Sequence, residues 1–223
     1  MSAGFDPGTG LGPRLRVARE LRELSVRELA RRIGCSASLI SQIERGISVP
    51  SVGVLYSLAT ELDTSLDHLL FGAEPRRPAG PAPGPDAPGT VAPGIVAPGI
   101  VAPGIVATGI VQRAVGRNII DLASGVRWER LTPGADAMTD FLEVIYSPGG
   151  HSTDERRPLR HDGHEYGLVI SGTLQANVGF ESYELGPGDS IAFDSSRPHE
   201  YLNKTGEPVH AIWVVVHSEP GRA

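Results

Sequence analysis

The apolar period changes twice along these 223 residues: near 3.6 at the front, absent in the middle, near two at the back. Leu15, Ala18, Leu21 and Leu24 recur at spacings of three with arginines on the other faces, which predicts an amphipathic helix ending near Leu24. Ser25 stands before V-R-E-L-A-R-R-I with Glu28 three residues on, the S-x-x-E pattern of a capping box, so a second helix is expected from Ser25 to a stop at Gly34. Ser36 is another good N-cap, and Ala37 to Arg45 reads as a third short helix with Leu39, Ile40 and Ile43 inward, ended by Gly46. After I-S-V-P-S, the segment V-G-V-L-Y-S-L-A-T-E-L gives a fourth helix and S-L-D-H-L-L-F a fifth, with Ser65 and Asp67 at its start. The second and third, joined by I-G-C-S, form a helix-turn-helix candidate.

The pattern then disappears. Residues 72–111 hold nine Pro and eight Gly, and from residue 90 onward the chain repeats TVAPG, IVAPG, IVAPG, IVATG, IV, similar to elastin-like repeats. Five residues are too few for a solenoid unit, and Pro in each repeat disfavours both helix and a regular ladder. The expected state is a turn-rich tether over residues 73–112, with a reach of roughly 35 Å for ~40 flexible residues.

Behind it the period becomes two. Short apolar or alternating runs lie at M-T-D-F-L-E-V-I-Y, E-Y-G-L-V-I-S, T-L-Q-A-N-V, E-S-Y-E-L, D-S-I-A-F, H-E-Y-L-N and V-H-A-I-W-V-V-V, separated by Gly- and Pro-rich turns. Seven or more such strands indicate a sandwich or barrel. The expected fold class is α + β in separate domains, all-α in front and all-β behind. Residues 1–13 read as a tail, 14–72 as the helical domain, 113–218 as the β-domain and 219–223 as a second tail.

Charge separates the halves further. Residues 14–45 carry eight Arg against four Glu, net +4; residues 112–223 carry ten basic and sixteen acidic residues, net −6, with six of the seven histidines. A basic front facing nucleic acid and an acidic, His-rich back imply different partners. The single cysteine, Cys35, excludes an internal disulfide and a Cys-based zinc finger, and neither a secretory signal nor a membrane span is readable. A cytoplasmic location and no membrane partner are expected.

Along about 57 residues, the S-x-x-E-L-A, G-x-S-x-S-x-I-S-x-I-E-R-G and P-S-x-x-x-L-x-x-L-A strings resemble the helix-turn-helix domain of phage-repressor-like, Xre-type regulators. The resemblance implies that Ser36, Ala37, Ser38 and Gln42 face the groove from the recognition helix, while Ser25, Arg27, Ser41 and Arg45 sit near phosphates. The chemistry agrees: Gln pairs bidentately with adenine, Ser reaches several base edges, Ala touches a thymine methyl, and helix N-termini bind phosphate. The implied partner is double-stranded DNA with a pseudo-palindromic operator, read by a homodimer.

Two segments of the back half resemble the paired motifs of the cupin jelly roll. In the first, His161 stands four before Glu165 and Glu165 seven before Gly172; the second runs from Gly186 through His199 to Asn203. With R-W-E-R-L-T-P (127–133) and S-P-G-G (147–150), roughly residues 117–217 look like the sensor domain fused to Xre-type regulators. Metal-binding cupins have a further histidine two residues before His161, where this chain has Leu159. His161, Glu165 and His199 still offer a two-His, one-carboxylate face suited to a divalent metal such as Fe, Zn, Mn or Ni. The other reading needs no cofactor: the same three residues with Asn203 form a polar pocket for a small-molecule effector. His164, one residue from Glu165, should point to the opposite side of its strand. Trp128, Tyr146, Tyr166, Phe193 and Trp213 read as core, and His151, His210 and His217 have no evident partner.

Two functions follow. The first is a non-enzymatic, one-component transcription regulator whose cupin domain senses a small molecule or metal. The second is an enzyme, because H-x3-E and a distant His on such a chain also resemble 2-hydroxypropylphosphonate epoxidase, a mononuclear Fe(II) cupin. The polar groove positions of an Arg-rich helix-turn-helix favour the first. So does the scarcity of basic residues between 164 and 217, where only Arg197 and Lys204 occur, both near turns.

Overall fold

The structure, a computed structural model, describes residues 10–72, 110–134, 136, 138–153 and 158–217. The Pro-Gly tether of the sequence reading lies outside these residues, apart from residues 110–112. Five helices form the front domain: α1 (Leu11–Leu21), α2 (Val26–Ile33), α3 (Ala37–Glu44), α4 (Val52–Leu62) and α5 (Leu66–Phe71). Serines start four of them, because a hydroxyl acceptor satisfies an amide that the first turn leaves open. Ser25, Ser36, Ser51 and Ser65 accept from Glu28, Leu39, Val54 and His68 N–H at 3.0–3.4 Å. The capping box is only half formed: the Glu28 carboxylate is taken by Arg31 and Arg32, whose hydrogen bonds hold it down to about 2. Gly34 ends α2 at a left-handed φ of 73°, as its place in the sequence predicts.

α1 departs from expectation at both ends. It begins at Leu11, inside the segment read as a tail, and stops at Leu21, whose side chain is 79% exposed. Close packing on α3 shifts the inward face. A Cβ on Gly12 would stand 2.6 Å from the carbonyl oxygens of Ile43 and Glu44, so only glycine lets the two helices meet there. The buried face is therefore Gly12, Leu15, Ala18 and Arg19. On α3, Ile40 and Ile43 are buried while Leu39 is only half-buried.

The back domain holds β1 (Ile119–Leu122), β2 (Val126–Arg130), β3 (Thr139–Tyr146), β4 (His164–Ser171), β5 (Leu174–Val178), β6 (Glu181–Leu185), β7 (Ser190–Asp194), β8 (His199–Leu202) and β9 (Val209–Val216). All pairings are antiparallel, in a six-stranded sheet ordered β1-β2-β3-β9-β4-β7 and a three-stranded sheet ordered β6-β5-β8. β1 and β2 are absent from the runs read in the sequence, because Ile-Ile-Asp-Leu is too short and Val-Arg-Trp-Glu-Arg too charged to stand out.

Alternation fixes which side chains enter the core. Glu165, Gly167 and Val169 of β4 point inward, and His164, Tyr166, Leu168 and Ile170 outward. Tyr166 is thus half-exposed rather than core, whereas Trp128, Tyr146, Phe193 and Trp213 are buried. Gly167 lies under the Trp213 ring, where a Cβ would come within 2.3 Å of the indole. Gly167→Ala should destabilise the barrel by about 1–3 kcal/mol through overpacking. A urea titration followed by tryptophan fluorescence checks this, and an unchanged midpoint contradicts it.

The two domains touch. Gly53 N–H of α4 donates to Ser152 O, and Ala123 N–H donates to Pro50 O, both at 3.1 Å. The Arg130 guanidinium lies over the Phe71 ring of α5, 4.9 Å from its centroid.

Candidate functional site

The helix-turn-helix face is built by capping and by helical spacing. Ser25 and Ser36 spend a lone pair on their helix starts and keep an O–H donor at the surface. One turn apart along α3, Gln42 Nε2 donates to Ser38 Oγ at 3.3 Å; Arg45 Nε donates to Ser41 O at 3.0 Å. Ala37 is half-buried and packs on the core. Arg31 and Arg32 are paired with Glu28 and Glu61, whereas Arg27 and Arg45 carry no acidic partner among the described residues.

In the barrel, β4, β8 and the loop before β4 bring His161, Glu165 and His199 together. Their ligand atoms lie within 4.8 Å of one another, and all three side chains are buried. Glu165 is the hub. Its Oε2 accepts from Tyr201 Oη at 2.6 Å and from Trp213 Nε1 at 2.7 Å. Its Oε1 faces His161 Nε2 at 2.7 Å and His199 Nε2 at 3.0 Å. Burial pushes this carboxylate up, but the two imidazoles outweigh it and hold Glu165 well below the usual carboxylate range. Burial, and then the Glu165 charge, raises Tyr201 and keeps it a neutral donor.

The far nitrogens of both rings set the tautomers. His199 Nδ1 lies 2.8 Å from Arg197 O and His161 Nδ1 3.2 Å from Asp162 O, contacts that a protonated Nδ1 makes by donating. A neutral ring so oriented turns a bare Nε2 toward Glu165, and both Nε2 atoms are buried without a hydrogen bond of acceptable geometry. Two lone pairs and a carboxylate oxygen facing one another repel unless a cation stands between them, either a proton on an imidazole, which is what lowers Glu165, or a metal ion.

Asn203, the fourth residue expected in the pocket, and the remaining barrel histidines lie elsewhere. Asn203 is buried but staples loops together: its Nδ2 reaches the carbonyls of Tyr146, Ser147 and Glu207, and its Oδ1 accepts from Thr205. His164 is exposed, as alternation requires. His210 meets Glu143 at 3.1 Å, His217 meets Asp140 at 2.8 Å, and His151 Nδ1 contacts Thr153 O. Tyr201 and Trp213 belong to the site by their bonds to Glu165, a role that core aromatics do not announce in sequence. Nor does Tyr56 of α4, whose ring stacks on His161 at 4.2 Å between centroids and 7° between planes.

The chamber beside Glu165 has a volume of about 20 Å³, enough for a water or an ion and no more. It is lined by Val52 and Tyr56 of α4 together with barrel side chains, and none of the lining residues is Arg or Lys. Among the described residues, a phosphonate would meet no Arg or Lys in this lining.

Residues 15–69 match the Helix-turn-helix family HTH_3, and residues 142–215 match the Cupin domain family Cupin_2. The chain is 26% identical over 201 residues to the HTH-type transcriptional regulator PuuR of Escherichia coli (strain K12), covering 89% of this chain and 90% of that one. Over 52 residues it is 48% identical to the uncharacterized HTH-type transcriptional regulator y4dL of Sinorhizobium fredii, 23% of this chain and 26% of that one. The crystal structure of an HTH_3 family transcriptional regulator from Vibrio cholerae superposes over 95% of this chain and 97% of its own, with a TM-score of 0.61 at 20% identity, which shows a shared fold. The chain is thus a helix-turn-helix protein with an appended cupin. It joins an Xre-like HTH_3 domain to a Cupin_2 domain and is similar along most of its length to a DNA-binding transcriptional regulator. No helix among the described residues is long and apolar enough to cross a membrane.

Proposed function

We propose that this regulator binds a pseudo-palindromic operator as a homodimer, through Ser36, Ser38 and Gln42 at base edges and Ser25, Arg27, Ser41 and Arg45 at phosphates, with Ala37 against a thymine methyl. The observation that carries this reading is the capped α2-turn-α3 unit, whose two cations without acidic partners, Arg27 and Arg45, flank polar groove positions. A second copy fits the outer face of the six-stranded sheet. There Phe141, Tyr166, Leu168, Ile170 and Val216 are exposed, and Phe141 and Tyr166 flank Val214 in register. Contiguous apolar surface of this kind is a feature of protein interfaces. Half-sites about one helical turn apart match such a dimer.

Titration against duplexes carrying two half-sites tests the reading. Gln42→Ala should relax preference at one base position by about 1–3 kcal/mol. Arg45→Ala should weaken binding to all sequences alike and lower the salt slope by about 1. Equal affinity of the intact protein for every duplex at physiological salt would refute it.

In the barrel, the bare Nε2 atoms and the ionised carboxylate support a divalent metal held by His161, Glu165 and His199 over a metal-free pocket. Tyr201 and Trp213 donate to Glu165 Oε2, which fixes the carboxylate and would leave Oε1 for a cation. A metal held there would act as a Lewis acid toward an oxygen ligand, so the effector would be a small molecule with an oxygen donor. Relatives that are regulators and a chamber without basic side chains both weigh against the oxygenase reading.

A further inference from the structure

Tyr56 belongs to the DNA-binding domain, yet its ring partners lie in the barrel. It lies flat on His161 and meets Trp128 edge-on, with centroids 6.1 Å apart and planes at 74°. Val52, one turn earlier on α4, lines the same chamber as Glu165. A second line of contact runs beside the first. Gly53 N–H donates to Ser152 O, Ser152 Oγ accepts from Tyr201 N–H at 2.9 Å, and the Tyr201 hydroxyl donates to Glu165. The helix that follows the recognition helix thus closes the barrel mouth, touching His161 directly and reaching Glu165 through three hydrogen bonds.

We propose that Tyr56 is the lid of the barrel site and the positioning residue through which an occupant acts on the helix-turn-helix domain. This rests on reading the barrel as the sensor site. An organic ligand larger than one water cannot share the chamber with Tyr56. A tyrosine wedged between Trp128 and His161 has few rotamers to withdraw into while α4 stays in place. Entry therefore moves α4, breaks the Gly53–Ser152 and Ala123–Pro50 hydrogen bonds, and releases the helix-turn-helix from a fixed position beside the barrel. Linkage makes the effect reciprocal: DNA that holds the docked arrangement closes the lid.

Diethylpyrocarbonate labelling of the full-length protein, read by mass spectrometry, tests the lid without needing a metal or an effector. His161 should label about tenfold or more slowly than exposed His164, since a covered group reacts only through local opening. Tyr56→Ala should remove most of that difference, and Tyr56→Phe, which keeps the stack, should preserve it. Equal labelling of His161 and His164 in the wild type, or full protection persisting in a folded Tyr56→Ala variant, overturns the lid. Freed domains position two half-site contacts less well, so Tyr56→Ala should also weaken operator binding about tenfold while leaving non-specific binding unchanged. Operator affinity equal to wild type overturns the coupling role. A wild type that binds no operator refutes the regulator reading instead, and leaves the labelling result to decide the lid.

Discussion

Glu44→Ala should unfold the helix-turn-helix domain at denaturant concentrations that the wild type withstands, at a cost of about 3–5 kcal/mol. The reason is where Arg19 points. Although α1 is studded with arginines, this one turns inward and is almost fully buried. Its Nε and Nη2 take the two Glu44 oxygens at 2.6 and 3.0 Å, and its Nη1 donates to Leu24 O at 2.7 Å. Removing the Glu44 carboxylate leaves a buried guanidinium with Leu24 O as its one hydrogen-bond acceptor and the half-exposed Glu20 carboxylate 3.8 Å away, and a charge so poorly compensated is costlier than a missing contact. Replacing both partners by apolar residues, Arg19→Met with Glu44→Leu, should recover most of the loss, because a buried ion pair and a well-packed apolar pair differ little in net stability. Circular dichroism through a denaturant series reads both variants. A single substitution costing under 1 kcal/mol would show the pair to be solvated.

At Glu165 the expected outcome separates a ligand from a scaffold. Glu165→Ala strands two buried donors, Tyr201 Oη and Trp213 Nε1, each costing about 1–3 kcal/mol, so the barrel should lose several kcal/mol of stability. Glu165→Gln keeps an amide oxygen for those donors and should fold, yet should bind metal as poorly as the alanine variant, because a neutral amide is a weak ligand. Co(II) absorption with the purified protein is the measurement. Wild type should bind Co(II) and gain thermal stability by mass action, while Glu165→Gln, His161→Ala and His199→Ala should do neither, since three ligands leave no redundancy. Co(II) retained by Glu165→Gln would place the metal elsewhere and return the three residues to a metal-free role.

Much of this protein is written in short-range pattern. The caps at Ser25, Ser36 and Ser65, the stop at Gly34 and the alternation of His164, Glu165 and Tyr166 depend only on hydroxyl chemistry, positive φ and the two-residue pleat, all of which act over a few residues. The pairing of His161 with Glu165 is implied by the resemblance to the first cupin motif, where four residues separate them. His199 was found only through the resemblance to a paired motif, because nothing local ties it to a position 34 residues earlier. Where tertiary contact decides, the sequence was silent or misleading. Leu21 continues the apolar stripe of α1 but faces solvent, since the close approach at Gly12 rotates Arg19 inward to Glu44. Asn203 carries polar atoms on the expected face, yet loop carbonyls satisfy its amide before a ligand can. Tyr56 reads as one more core residue of an amphipathic helix. Only docking α4 on the barrel mouth turns it onto His161, because that contact joins residues more than a hundred positions apart and no periodicity encodes it.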